Sequence, residues 1–374
     1  MPDFAGLYVH VPFCKSKCPY CDFFSIVAPD RQTDYLEDIQ REAQLYAQSF
    51  GPFDSLYVGG GTPSALTSEQ LTELIAALRT GFSFEENSAR QTEVTVELNP
   101  ADVNSNLLAG LQQAGVNRLS LGAQSFDDAE LRLLGRRHDR ATALHAIEKI
   151  QKAAFASLGM DLIYGLPGAS VEKWRRNLER ALSLNPEHLS CYALTVATET
   201  RFGELHAQGK LELPDEKLGA ALFEETCRVL NMAGFEHYEV SNFARRKEFR
   251  SRHNQKYWQR VPYLGLGPAA HSFDGQNRWW NFSNLDDYRK AIQSGLRPVE
   301  SFEEIDNEKA RLESIALGMR TSHGVALELV LSRPDADEQV DLLLNQGLAF
   351  VERARLCPSQ KGFLVADGIA KLFC

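Results

Sequence analysis

Short apolar runs recur through the first two hundred residues, and each is followed by a longer stretch with apolar side chains three or four positions apart. The short runs predict strands over 6–11, 55–58, 93–98, 118–121, 159–163 and 189–194. The longer stretches predict amphipathic helices over 33–48, 68–78, 141–152 and 171–182. In the last of these Trp174, Leu178, Ala181 and Leu182 share one face, which is expected to be core. Ser68, followed by Gln70 and Leu71, reads as a helix N-cap. Strands joined by helical crossovers pair in parallel, with right-handed connections. The result is an α/β fold, either a doubly wound sheet or a barrel. Both architectures place chemistry at the C-terminal ends of their strands.

The pattern changes near Phe235. Residues 240–283 are rich in aromatic, basic and Gly/Pro residues and show little periodicity. Helical spacing returns over 308–319 and 336–346, followed by strand-like runs at 348–351 and 362–365 and a last helix. Three units are therefore expected: a core over 1–235, a connecting region over 236–299 and a small winged-helix-like domain over 300–374. Winged-helix domains often bind DNA, yet from Glu300 onward there are 13 acidic and 8 basic residues. The whole chain of 374 residues carries 40 basic and 50 acidic side chains, a net charge of −10. That balance argues against a nucleic-acid partner or an anionic membrane surface. No run approaches the ~18 apolar residues of a membrane span, so no integral membrane protein is expected. Met1-Pro2-Asp3-Phe4 lacks the basic-then-apolar layout of a signal peptide, and the cytoplasm is the expected location.

Cysteine usage adds chemistry to this outline. Seven cysteines are an odd number, and three of them crowd into residues 14–21, unlike a secreted disulfide framework. Cys191, Cys227 and Cys357 stand singly and read as small apolar residues, and Cys374 as an exposed terminal thiol. The triplet lies in His10-Val-Pro-Phe-Cys14-Lys-Ser-Lys-Cys18-Pro-Tyr20-Cys21-Asp-Phe23, directly after the first strand. Structural zinc takes four protein ligands, and here only His10 could join the three thiolates. Iron–sulfur clusters are normally held by four thiolates. With three, a [4Fe–4S] cluster keeps one iron open to an exogenous ligand. Four further polar segments stand at successive strand ends: Gly59-Gly60-Gly61-Thr62-Pro63, Glu97-Leu-Asn99-Pro100, Leu121-Gly-Ala-Gln124-Ser-Phe126 and Asp161-Leu-Ile-Tyr-Gly-Leu-Pro167-Gly168. Glycines at a strand end let backbone groups approach a ligand closely.

The triplet and these segments together resemble the radical S-adenosylmethionine superfamily, in which the methionine amine and carboxylate chelate the open iron. The resemblance implies a partial (βα)₆ barrel with a [4Fe–4S] cluster on Cys14, Cys18 and Cys21. It also implies an S-adenosylmethionine pocket lined by Tyr8, Tyr20, Gly60, Gly61, Thr62, Glu97, Gln124, Arg136 and Asp161. Within the superfamily the chain is similar to oxygen-independent coproporphyrinogen oxidases and to the related HemW-type haem chaperones, over roughly the first 280 residues.

Three features favour the chaperone branch. Phe23 stands where the oxidase pattern carries a fourth cysteine, Cys14 comes almost at once, and His253-Asn-Gln-Lys-Tyr257-Trp258 matches the His-Asn-x-x-Tyr-Trp signature of the HemW group. His253 could ligate haem iron, Tyr257 and Trp258 could offer a flat surface, and seven Arg/Lys over 245–260 could pair with two propionates. His271 is a competing ligand, while His138, His145, His188, His206 and His237 are expected at the surface or on helices. The resemblance thus implies a haem-binding chaperone using a [4Fe–4S] cluster and S-adenosylmethionine to pass haem to an acceptor protein, which could be membrane-associated. The alternative is oxidative decarboxylation of a porphyrinogen propionate. Radical modification of an RNA is a third reading, discouraged by the acidic balance.

Overall fold

The computed structural model describes residues 4–85 and 91–373. Cys374 and residues 1–3, on which two of the readings above fall, lie outside the described residues. The six expected strands are present as β1 (Ala5–Val11), β2 (Phe53–Gly60), β3 (Glu93–Leu98), β4 (Arg118–Gln124), β5 (Ser157–Tyr164) and β6 (His188–Ala193). They lie side by side in chain order, each parallel to the next.

A period of two explains what each strand contributes. Leu7 and Val9, Leu56 and Val58, Val94 and Val96, and Leu119 and Leu121 are all buried. They form one apolar core with the helices Gln32–Tyr46, Ser68–Gly81 and Arg140–Ala153. The intervening positions are polar or small, and Tyr57, Thr95, Glu97, Ser120, Asp161 and Ser190 line a common cleft. Trp174, Leu178 and Ala181 of the helix Val171–Ser183 are buried as their spacing predicts. The N-cap expected at Ser68 falls one residue earlier. Thr67 accepts from the Gln70 backbone N–H while the Gln70 side chain accepts from the Thr67 N–H, a reciprocal capping box that Ser68 cannot make.

The sheet is larger than six strands. Residues 236–304 add β7 (Glu236–Glu239), β8 (Asn242–Ala244), β9 (Tyr263–Leu266), β10 (His271–Phe273), β11 (Asn277–Asn281) and β12 (Val299–Glu304). The order is β12-β11-β10-β9-β1-β2-β3-β4-β5-β6-β8-β7. β9 is parallel to β1 with Leu7 opposite Leu264, whereas β10–β12 on one edge and β8 and β7 on the other run antiparallel to their neighbours. The partial barrel is therefore one part of a mixed twelve-stranded sheet. Glu42, fully buried, fastens the added edge to the first helix. Its carboxylate accepts from the Tyr288 hydroxyl at 2.6 Å, the Gly267 N–H at 2.7 Å and the Asn281 amide at 2.6 Å.

The last 60 residues have their own apolar cluster around Ile315, Met319, Leu343 and Leu356. A three-stranded sheet in the order β13 (Val325–Ala326), β15 (Arg355–Pro358), β14 (Ala349–Glu352) packs with it. The strand expected over 362–365 is instead the end of a helix, Gln360–Leu364, capped by Ser359. The hairpin partner of β14 is β15, and Phe363 turns toward the main core, where it meets the His237 ring at 4.5 Å. A short apolar run does not by itself distinguish strand from helix.

Candidate functional site

A cleft of about 350 Å³ opens at the C-terminal ends of β2–β6. Tyr20, Gly60, Gly61, Thr62, Glu97, Gln124, Arg136 and Asp161 line it together with Cys21 and Phe23. Two of the predicted cofactor-binding residues do not, while Cys14 and Cys18 stand on the loop above. The Tyr8 hydroxyl lies 3.1 Å from His10 Nδ1, and its ring packs beside Tyr57 and His253. His253 lies in the helix Arg252–Trp258, outside the cleft.

The glycine segment is built for close approach. Gly60 has φ +109°, and a Cβ there would stand 2.7 Å from the His10 ring. A Cβ on Gly61 would meet the Phe13 carbonyl oxygen at 2.9 Å. Only glycine therefore lets this strand end fold under the cysteine loop. Gln124 reaches the cleft through an irregularity of register between β4 and β5, with φ +65°, a conformation unusual for a residue with a side chain.

Two half-buried carboxylates form the floor. Glu97 accepts from the Tyr57 hydroxyl at 2.7 Å and from the Gly60 N–H at 3.3 Å, and burial raises its pKa to about 7. Asp161 accepts from Ser120 at 3.0 and 3.2 Å, and burial pushes its pKa up, against the pull of the Ser190 and Ser120 hydroxyls. Both carboxylates are thus costly to ionise where they stand, a cost that a cationic ligand would offset.

The three thiols sit on the loop above, half-buried and not in disulfides. Cys14 Sγ lies 3.3 Å from the Thr62 hydroxyl, and Arg136 donates to Cys18 Sγ at 3.6 Å, to Tyr20 at 3.5 Å and to the Gly122 carbonyl at 3.0 Å. Burial, with the charges of Cys18 and Cys14, raises the Cys21 pKa despite a backbone hydrogen bond. Three thiols on one loop, one of them within reach of a guanidinium, suit a polynuclear cation bound through sulfur. Among the described residues no group of three His, Cys, Asp or Glu side chains is gathered as a ready cage for a single ion. His10 is not a spare fourth ligand, because Tyr8 and the Phe24 carbonyl at 2.8 Å engage its two nitrogens.

The radical SAM superfamily pattern matches residues 8–181. The heme chaperone HemW of Lactococcus lactis (strain IL1403) is 33% identical over 98% of this chain and 96% of its own. That of Mycobacterium tuberculosis (strain H37Rv) is 34% identical over 98% of this chain and 94% of its own. The chain belongs to the HemW family. The solved structure of the Escherichia coli radical SAM enzyme coproporphyrinogen III oxidase (HemN) superposes with a TM-score of 0.83. It covers 99% of this chain and 90% of the other at 25% identity. Membership in this superfamily implies a [4Fe–4S] cluster and S-adenosylmethionine. No helix among the described residues is long and apolar enough to cross a membrane.

The HemW-type signature at 253–258 looks different in three dimensions from its reading as a haem surface. His253 is 1% exposed, with Nδ1 3.0 Å from the Ser55 hydroxyl and Nε2 2.8 Å from the Tyr257 hydroxyl. Neither nitrogen is open to an iron. Burial, aided by the Lys256 charge, lowers its pKa to about 3. Tyr257 is taken up by that bond and by edge-on contact with Tyr263 at 4.6 Å. The basic run is largely spent inside the fold: Lys256 pairs with Asp54 at 2.6 Å, Arg250 with Glu236 at 2.8 Å and Arg260 with Glu313 at 3.0 Å, while Arg245 donates to the Pro186 carbonyl at 2.7 Å. The signature therefore ties β1, β2 and β9 together from one side.

Histidines expected outside are also recruited inward. His138 and His188 are buried, the latter 2.7 Å from the Tyr238 hydroxyl and on the wall of the cleft. Tyr57, Ser120, His188 and Ser190 are cleft residues that motif reading overlooked. Their signal is the period of two along β2, β4 and β6, which places every second side chain inside.

Proposed function

We propose that this chain binds haem and passes it to an acceptor protein, as the name of its HemW relatives describes. Near-complete, two-way coverage of those relatives carries the reading. In it Cys14, Cys18 and Cys21 hold a [4Fe–4S] cluster, and the cleft takes one S-adenosylmethionine. The cluster would supply electron transfer at its open iron. Arg136 holds Cys18 in place through its hydrogen bond, and Thr62 does the same for Cys14. Glu97 and Asp161 accept donors from the ligand, with Tyr57 and Ser120 holding their orientation. The small C-terminal unit, with a helix pair and a hairpin, fits a winged-helix description, and the cytoplasm is the proposed location.

The Glu97 pKa gives this assignment a pH signature. An ionised Glu97 binds a cationic or hydroxyl-bearing ligand better than a protonated one, and its pKa near 7 places the change around neutrality. S-adenosylmethionine affinity should rise about tenfold between about pH 6 and about pH 8. In Glu97→Gln it should stay flat, as read by equilibrium binding to reconstituted protein.

The runner-up, oxidative decarboxylation, draws on the likeness to the coproporphyrinogen oxidase over 99% of the chain. Phe23, 64% exposed beside Cys21, stands against it, since that branch's pattern has cysteine there. Anaerobically reconstituted protein, given reductant and S-adenosylmethionine, should bind haem and leave coproporphyrinogen unconverted. Turnover beyond one equivalent would put the oxidase reading first.

A further inference from the structure

The cleft is the size of one nucleoside-type ligand, at about 350 Å³. With S-adenosylmethionine assigned to it, haem is placed on another surface. Haem iron also needs an imidazole with an open nitrogen, which His253, His10 and His188 lack or hold buried.

His271 meets the requirement. It is exposed, begins β10 directly opposite Trp280 of β11, and stacks on that indole with ring centres 5.6 Å apart and 27° between planes. Its ring nitrogens make no hydrogen bond among the described residues. We propose that His271, steadied on the face of Trp280, is the imidazole that coordinates the iron of the bound haem. This assignment rests on haem being the cargo.

Three observations carry it. First, the presenting strand is rigid. The Ser272 hydroxyl lies 2.9 Å from the Gly265 N–H, which donates to it, and a Cβ on Gly265 would lie 2.2 Å from the His271 carbonyl oxygen. Asn281 joins β11 to the Gly267 carbonyl at 2.9 Å and to buried Glu42. A ligand held on packed strands needs little ordering when it binds. Second, the location is right for a partnership with the cluster. β9 is parallel to β1 and antiparallel to β10, and a Cβ on Gly265 would touch the His271 carbonyl, so His271 stands toward the end of the sheet where β1 leads into the cysteine loop. Third, the imidazole is neutral at physiological pH, because partial burial and the Arg278 charge lower its pKa, so the lone pair is available to a metal. Coordination forms one iron–nitrogen bond in place of a bound water, with no proton or electron transferred.

His323 provides the contrast. It is exposed as well, but it lies among Arg355, Arg250 and Lys247, with no aromatic ring against it among the described residues.

The test is the optical and magnetic-resonance spectrum of haem on the reconstituted full chain. Wild type should give an imidazole-ligated spectrum. His271→Ala should lose it, with a shifted Soret band, and His271→Cys should convert it to a thiolate-type spectrum. His323→Ala should match wild type. Cluster absorption, unchanged in all three variants, reports that they fold. If wild type binds haem and His271→Ala gives the same spectrum, the assignment is overturned while the cargo reading stands. If wild type takes up no haem, the cargo reading fails and takes this site with it.

Discussion

Replacing any one of Cys14, Cys18 and Cys21 by alanine should abolish [4Fe–4S] uptake, whereas Cys191→Ala should leave it intact. The three thiols share one loop, where Thr62 stands against Cys14 and Arg136 against Cys18, and burial makes Cys21 costly to ionise. A cluster with only two protein thiolates has lost the chelation that fixes it. Cys191 is in a different position: it is 3% exposed within β6, and burial pushes its pKa far up, as for an inert core thiol. Iron and sulfide content after anaerobic reconstitution, together with the reduced-state resonance, distinguishes the two outcomes. Stoichiometric zinc with no iron would contradict the radical SAM assignment for this chain.

The second large effect concerns stability. His253→Ala should destabilise the fold by about 2–4 kcal/mol, because it opens a cavity and leaves the Ser55 and Tyr257 hydroxyls without their partner. Urea unfolding under anaerobic conditions would read this as a lower midpoint. Acidity should also act through this residue. Its folded pKa of about 3 lies below the unfolded value of about 6.5, so the unfolded chain binds the proton first. The associated stability is present above pH ~6.5 and is lost as pH falls toward ~3. A buried neutral replacement should remove that part of the acid sensitivity. An unaltered midpoint in His253→Ala would return His253 to the role of a free ligand.

Much of this was legible in the residues. The six parallel strands declare themselves because apolar positions recur at every second residue in short runs bounded by polar strand ends. The cysteine loop and Gly60-Gly61-Thr62 follow from the same logic, and the structure sets them side by side. The added edges were not legible, because β8, β9 and β10 are three or four residues long and interrupted by glycine and proline turns. Such strands are recognised by their neighbours, which a sequence does not list in space. His253 illustrates the same limit for a site. Its motif announces importance, but only the position of Ser55, 198 residues earlier, reveals that its nitrogen is occupied.

The place of β1 has an implication for how the protein is made. This strand leads straight into the cysteine loop, yet one of its two flanking strands, β9, begins at Tyr263 and is synthesised long after it. Until that distant segment has been synthesised, one side of β1 is a bare edge, and the Lys256 contact with the Phe4 carbonyl is missing. Closing so long a loop is slow and entropically costly. Secure seating of the metal centre therefore waits for the segment at Tyr263, although the cysteines that hold it are translated long before.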